Sequence, residues 1–482
     1  MNRLILLLLL LLSYACQSEK SADRVPWEKP NILYIHIDDL GYKDLGFMGS
    51  SYYETPNLDA LAASGMIFTQ GYAGAANCAP SRACLMTGKN TPRHGIYTVA
   101  SSERGNPKTR KVIPTPNTLH IKDSEFTLAE FLKKAGYKTA TFGKWHISEN
   151  PLRDGFEINV GGTKAGSPGR DGYFAPYNNL PGLEEAPEGE YLTDRLTTEV
   201  INFLEKQGSE KFFLYLPYFT VHTPLMAKDS LHEKYQQKTG SNGQDNPVYA
   251  AMVENMDTQI GRILKTLDKL HLRENTLIIF TSDNGGIRSI SNQNPLRAGK
   301  GSYYEGGIRV PYIFSWPGII EKGSSSTTPI VNLDIFPTLA HIVGIESSPQ
   351  ELDGKNIFPL LQGKEIPERN FYWHFPIYLQ AYRPLDDDGR DPLFRTRPGS
   401  VILSGKWKLH QYFEDGGLEL YDLENDLGER NNLAESNPEK AQELLEDLDK
   451  WRNKMSAPIP DSLNPLFEAG FIPERYREML KP

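Results

Sequence analysis
Along this chain, short apolar runs of strand length alternate with stretches whose apolar residues recur at helical spacing. Asn31 to Ile37 is a β-branched, apolar run and predicts a strand. Thr127 and Glu130 form a capping-box pair that opens a helix carrying Leu128, Phe131, Leu132 and Ala135, with Gly136 as its stop. Lys138–Phe142 and Phe212–Leu216 predict further strands. Met252, Met256, Ile260, Ile263, Leu264, Leu267 and Leu270 fall on one helical face, and the strand Thr276–Phe280 follows at once. Asp334 is expected to cap a last helix through Leu339 to Val343. Strand–helix–strand alternation implies an α/β fold: a large mixed, mostly parallel sheet flanked by helices.

The texture changes near residue 365. Residues 376–399 are rich in Pro, Asp and Arg and read as a long loop. Short strands are expected at Ser400–Leu403, Trp407–Leu409 and Leu418–Tyr421, then a charged helix over 437–454. This predicts a smaller C-terminal α+β domain over 366–482, attached to a main domain over 30–365.

The amino end differs from both. Arg3 precedes nine apolar residues, Leu4 to Leu12, then Ser13, Tyr14, Ala15 and Cys16. A basic start, a short apolar run and a small-residue site read as a secretory signal over 1–15. Cys16 is placed for lipidation as a bacterial lipoprotein, with 16–29 as a tether and the cell envelope as the location. The alternative is ordinary signal cleavage and a soluble periplasmic or secreted protein. The 482 residues carry a formal net charge of −9, which argues against nucleic acid as a partner. Three cysteines leave no room for a disulfide framework.

In open α/β sheets, sites form at the carboxyl ends of strands. Here those ends lead into Asp38-Asp39, into Gly143-Lys144-Trp145-His146, towards His222, and into Ser282-Asp283-Asn284. Three carboxylates and an amide suit a hard divalent cation such as Ca²⁺ or Mg²⁺. Two histidines with Lys144 and Lys300 suit an anionic substrate. Cys78-Ala79-Pro80-Ser81-Arg82 adds a cysteine at the start of a helix, where the helix terminus favours anions and lowers a thiol pKa.

That pentad, with Thr87-Gly88 downstream, resembles the C-x-P-S-R signature of type I, formylglycine-dependent sulfatases of the alkaline phosphatase superfamily. Pro30 to Gly41, Gly136 to His146, Thr281 to Gly286, Lys300-Gly301, Glu305 to Pro311 and Leu420 to Leu423 also resemble that family's segments. The resemblance covers about residues 30–435 and implies an alkaline phosphatase-like fold. It implies that Cys78 is oxidised by a maturation enzyme to formylglycine (3-oxoalanine), whose hydrate is the nucleophile. It implies one Ca²⁺ on Asp38, Asp39, Asp283, Asn284 and residue 78. Arg82 would hold the hydrate, Lys144 and Lys300 the sulfate oxygens, His146 the second hydroxyl and His222 the leaving alcohol. Cys84 remains as a small core residue.

The substrate implied is a sulfated polysaccharide or oligosaccharide, algal or glycosaminoglycan. Phosphate or phosphonate ester hydrolysis on the same scaffold is the alternative, and a non-enzymatic carbohydrate-binding lipoprotein a further one. Loops 147–190 and 374–399 are expected to shape the outer pocket. The second carries His374, Tyr378, Tyr382, Arg383, Asp386, Asp387, Asp388, Arg390, Arg395 and Arg397.

Overall fold
The computed structural model describes residues 27–480 except 170, 171, 178, 179, 346, 347 and 349. The signal and Cys16 lie outside the described residues. Among the described residues no helix is long and apolar enough to cross a membrane.

Eight strands form the main sheet: β1 (Asn31–Ile37), β2 (Met66–Phe68), β3 (Lys138–Phe142), β4 (Ile158–Val160), β5 (Phe212–Pro217), β6 (Thr276–Ser282), β7 (Tyr312–Ser315) and β8 (Ser324–Ser326). Their order is β4-β3-β5-β1-β6-β7-β2-β8. The first five run parallel. The β6–β7 and β7–β2 pairs are antiparallel, and β2–β8 is parallel again. Every residue of β1, β5 and β6 is buried. Strands covered on both faces read as unbroken apolar runs, and so these three stand out in the sequence.

The helices meet the sheet through apolar stripes. Helix α1 (Cys78–Thr87) is buried along its whole length and ends on Gly88 in the left-handed region. Helix α2 (Leu128–Lys134) starts with the expected reciprocal bonds between Thr127 and Glu130; such a cap contributes about 1 kcal/mol. Helix α3 (Leu192–Lys206) also forms, with Leu192, Leu196, Val200 and Phe203 buried, although the sequence reading does not include it. The long apolar stripe belongs to α4 (Pro247–Lys269), which starts five residues before Met252 under an Asn246 cap.

Two expectations need correction. Asp334 precedes helix α5 (Ile335–Ile342) but makes no side-chain cap. Its carboxylate instead accepts from the backbone of Val331 (2.9 Å) and Lys355 (2.8 Å) and pairs with Arg369. The 376–399 segment is not all loop: Leu379–Gln380 pairs with Phe394–Thr396 as a short antiparallel hairpin.

The C-terminal region forms an antiparallel sheet of β9 (Phe371–Phe375), β10 (Gly399–Ser404), β11 (Trp407–Tyr412) and β12 (Leu418–Asp422), in that order. Helix α6 (Pro438–Met455) packs Leu444, Leu448 and Trp451 against it. The other face shares a core with the main domain, where Trp373, Phe375 and Val401 meet Tyr72, Ala76 and Cys84.

The contact between the two parts is concentrated on one segment. The Lys300 carbonyl accepts from Arg395 at 2.9 Å. Tyr303 stacks on Phe375 with ring centroids 3.9 Å apart, and Tyr304 donates to Glu419 at 2.5 Å. The Glu305 amide donates to Glu429 at 2.6 Å. Lys408 Nζ lies 2.9 Å from both Glu305 and Glu429, and all three side chains are fully buried. A buried ion that loses its partner costs several kcal/mol, so residues 300–305 are set by the C-terminal part.

Candidate functional site
The carboxyl ends of the adjacent strands β3, β5, β1 and β6 converge on one place. Backbone bonds continue the sheet past those ends: Asp38 donates to Thr220 (3.1 Å), Asp283 to Ile37 (3.0 Å) and Lys144 to Pro217 (2.7 Å). The side chains that follow each strand are thereby brought to a common point. Asp38, Asp39, Asp283, Asn284, Cys78, Arg82, Lys144 and Lys300 are all buried there.

One ligand-capable atom from each of Asp38, Asp39, Cys78 and Asp283 lies within 4.8 Å of the others. Basic groups are interleaved with these carboxylates. Lys144 donates to Asp38 at 2.7 Å, Lys300 to Asp39 at 2.6 Å, and Arg82 Nε to Asp283 at 2.8 Å. Arg82 also donates to the Lys144 carbonyl at 2.9 Å, tying helix α1 to the end of β3. Burial and the neighbouring carboxylates push Asp38 up to about 7 against the pull of Lys144. Burial acts the same way on Asp39 and Asp283, but Lys300 on the first and Arg82 on the second outweigh it and hold both below the usual carboxylate range.

Asn284 donates to Asp39 at 2.8 Å, while its Oδ1 is buried with no hydrogen-bond partner. An unpaired buried acceptor is costly. Here it lies beside three carboxylates, and the donor set is oxygen-rich. These residues fit a hard divalent cation.

Cys78 Sγ is 3.4 Å from Asp38 Oδ1 and 3.7 Å from Asp39 Oδ1. The expectation of a lowered thiol pKa is reversed. Burial pushes the Cys78 thiol up, and the nearby carboxylates add to this against Lys144 and Lys300. An unmodified thiol here is a poor nucleophile. Cys84 lies fully buried within helix α1, as expected of a core residue.

Two site residues hold backbone conformations that side chains rarely adopt, Asp39 at φ 62° and His146 at φ 70°. Such strain costs about 1–3 kcal/mol each and collects at functional sites. The Asp39 amide is fixed by Asp283 Oδ1 at 3.2 Å and the His146 amide by Thr163 at 2.9 Å.

Above the cluster opens a cavity of about 230 Å³ lined by Cys78, His146, His222 and Lys300, with Asn77, Val99, Arg104, Gly166, Ser167, Leu379, Tyr382 and Arg395 around them. Lys144 and Arg82 are absent from this lining and lie beneath it. His222 Nδ1 is 2.6 Å from the Thr223 carbonyl and so carries the hydrogen, leaving Nε2 available, 3.7 Å from Asp39. Burial and then Lys300 push His222 down to about 3. Burial, with Lys144 and Arg82, also holds His146 well below its usual value, and its Nδ1 is buried without a partner. A larger cleft of about 590 Å³ involves Arg309, Arg369 and Lys406 and touches none of the site residues.

Both expected loops reach the cavity, through few residues. The first supplies Gly166 and Ser167, the second Leu379, Tyr382 and Arg395. The other singled-out side chains of the second loop are engaged elsewhere. His374 bonds Ser400 and Pro458, and Tyr378 bonds Glu414. Asp387 accepts from the Tyr382 and Arg383 amides. Arg383 pairs with Asp386, Arg390 with Asp415, Arg397 with Asp391 and Glu414, and Asp388 with Arg430. Asn77, Val99 and Arg104 were not foreseen. Asn77 adjoins the signature cysteine, which was a usable signal; Val99 and Arg104 lie in no motif.

The sequence matches the family described as Sulfatase over residues 30–345, and N-sulphoglucosamine sulphohydrolase, C-terminal over 299–456. A "Sulfatase" of Formosa agariphila is 33% identical, covering 92% of this chain and 90% of its own. The human N-acetylgalactosamine-6-sulfatase is 34% identical over 73% of this chain and 70% of its own. The crystal structure of Ps i-CgsB superposes with a TM-score of 0.75 at 31% identity, covering 91% of this chain and 95% of that one; a second structure of it holds k-i-k-neocarrahexaose.

Gly143 links β3 to Lys144 and His146. Its φ is 125°, and a Cβ there would meet the Pro217 carbonyl at 2.1 Å. Gly143→Ala should therefore cost more than about 2 kcal/mol in urea unfolding and lower turnover at least tenfold. Wild-type stability in this variant would show that the close approach is not required.

Proposed function
The chain belongs to the sulfatase family and is a sulfuric ester hydrolase, and from that premise we propose that it desulfates a sulfated oligosaccharide or polysaccharide using formylglycine made from Cys78 and Ca²⁺ held by Asp38, Asp39, Asp283 and Asn284. The observation that carries this reading is the convergence of Cys78, three carboxylates, two lysines and two histidines at one small cavity. The buried, unpartnered Asn284 Oδ1 supports the cation. The raised thiol pKa disfavours a plain cysteine nucleophile. The carbohydrate part rests on relatives whose names and ligands are carbohydrate. The leader over residues 1–15 supports a lipid-anchored envelope protein, where such polymers are met.

Bound Ca²⁺ would neutralise sulfate and hydroxyl oxygens. A hydrated aldehyde at residue 78 would supply an attacking hydroxyl and a second hydroxyl through which sulfate can leave. The remaining work falls to the chain's own side chains. Lys300 faces the cavity and Lys144 lies under it; their charges oppose that of the sulfate as it grows in the transition state. Arg82 fixes Asp283 and the end of β3 relative to residue 78. His222, with Nδ1–H held by the Thr223 carbonyl, would donate to the leaving oxygen from Nε2 once that nitrogen is protonated, and His146 lies on the cavity wall to move the proton of the second hydroxyl.

Peptide mass spectrometry of protein made with a formylglycine-generating system should find an aldehyde at residue 78. Cys78→Ala should fold and lose turnover on every sulfate ester; substantial residual activity would refute the nucleophile. Removing divalent ions should abolish turnover, and Ca²⁺ should restore it, with Asp283→Ala weakening both ion binding and rate. Full activity after exhaustive chelation would overturn the cation site. Finally, His222→Ala should lose far more kcat/KM on a sugar sulfate than on 4-nitrophenyl sulfate, whose phenolate leaves unaided. Lys144→Ala should lose about two to three powers of ten on both. The reverse pattern would exchange the two roles.

A further inference from the structure
The cavity contrasts with the protein around it. The chain is acidic overall, with 61 Asp and Glu against 52 Lys and Arg. The cavity lining nonetheless includes three basic side chains, Lys300, Arg395 and Arg104, and no carboxylate. Two of these have partners. Lys300 lies on Asp39. Arg395 donates to the carbonyls of Gln380 (3.1 Å) and Lys300 (2.9 Å), with its guanidinium 3.5 Å from the Tyr382 ring centroid. Among the described residues the Arg104 side chain has no hydrogen bond and no ion pair, although the residue is half-buried.

The backbone beneath Arg104 is fixed. Arg110, itself buried, donates to the carbonyls of Glu103 (2.6 Å) and Gly105 (2.9 Å), one on each side of residue 104. It also pairs with the Glu103 carboxylate at 3.0 Å. The Tyr378 amide donates to Ser102 at 3.0 Å, which docks this loop on the hairpin that carries Tyr382 and Arg395. A guanidinium on a backbone fixed in this way, half withdrawn from water and left unpaired at a cavity wall, is available to an anion.

Resting on the carbohydrate reading above, we propose that the substrate carries a second fixed anionic group, a sulfate or a carboxylate, received by Arg104 while the scissile sulfate lies at residue 78. The cavity volume of about 230 Å³ is below the roughly 300 Å³ lower end for drug-sized ligands. Because Arg104 and residue 78 line this same small cavity, the second charge is placed on the same sugar ring as the scissile ester or on its immediate neighbour. Arg104 is a specificity-determining residue, and Arg110 positions it.

The test uses matured full-length enzyme hydrolysing 4-nitrophenyl sulfate, with defined disaccharides from carrageenan, chondroitin and heparin as competitors. Each is paired with a partner of one fewer charge: a second sulfate present or removed in one arm, a uronate or its methyl ester in the other. Wild-type enzyme should bind at least one doubly anionic member about tenfold more tightly than its partner, as expected for a charged hydrogen bond. The arm that shows the effect identifies the anion. Arg104→Ala should bring that ratio near one, and Arg104→Lys should restore part of it. Because the ratio is taken within one enzyme, a general loss of activity cancels. Competition without charge discrimination, or discrimination that survives in Arg104→Ala, overturns the inference. Competition by no saccharide at all overturns the carbohydrate reading and this inference with it.

Discussion
Three buried carboxylates held this close repel one another, and the rest of the site is arranged around that repulsion. Asp38, Asp39 and Asp283 follow two adjacent parallel strands, and all three are buried, where charge is weakly screened. Each has a cation of its own: Lys144 from the end of β3, Lys300 from the segment after β6, and Arg82 from helix α1. Charge pairing thus links the sheet, the helix bearing residue 78 and the segment clamped by the C-terminal part. The same field that orders these elements is the field an incoming anion meets.

Strain and charge act together here. Asp39 and His146 hold left-handed backbones, and each is fixed by a hydrogen bond from its own amide. Gly143 permits a backbone approach that a side chain would block. The two histidines stay neutral because burial and nearby ammonium groups disfavour their charged forms. A neutral imidazole can accept a proton, which suits His146 beside the nucleophile, whereas His222 must first take up a proton on Nε2 to assist a leaving alcohol.

The strands and their chemistry were legible for one physical reason. Strands buried on both faces leave unmistakable apolar runs, and in a parallel sheet the working residues come directly after them. Asp38, Lys144 and Asp283 could therefore be located by counting. Arg104 could not, because its role depends on a loop docking against a hairpin some 270 residues away in the chain, between Ser102 and Tyr378. Nor could the fates of Arg390 and Arg397 be read: an arginine in a loop has the same spelling whether it meets a ligand or an Asp from the next strand. The pKa of Cys78 was misjudged because helix position is visible in a sequence and depth of burial is not.

The clamp on residues 300–305 bears on how such a protein can change over generations. Lys300, Tyr303, Tyr304 and Glu305 are each engaged by a residue of the C-terminal part. A shuffled gene that joined this main domain to a foreign tail would leave Glu305 with Arg309 but without Lys408, and Lys300 on an unsupported backbone. Exchange of one part alone would thus disturb the segment that carries Lys300, and change without that cost has to come from elsewhere. The loops around Arg104, Ser167 and Tyr382 offer it, because they border the cavity without belonging to either buried charge cluster.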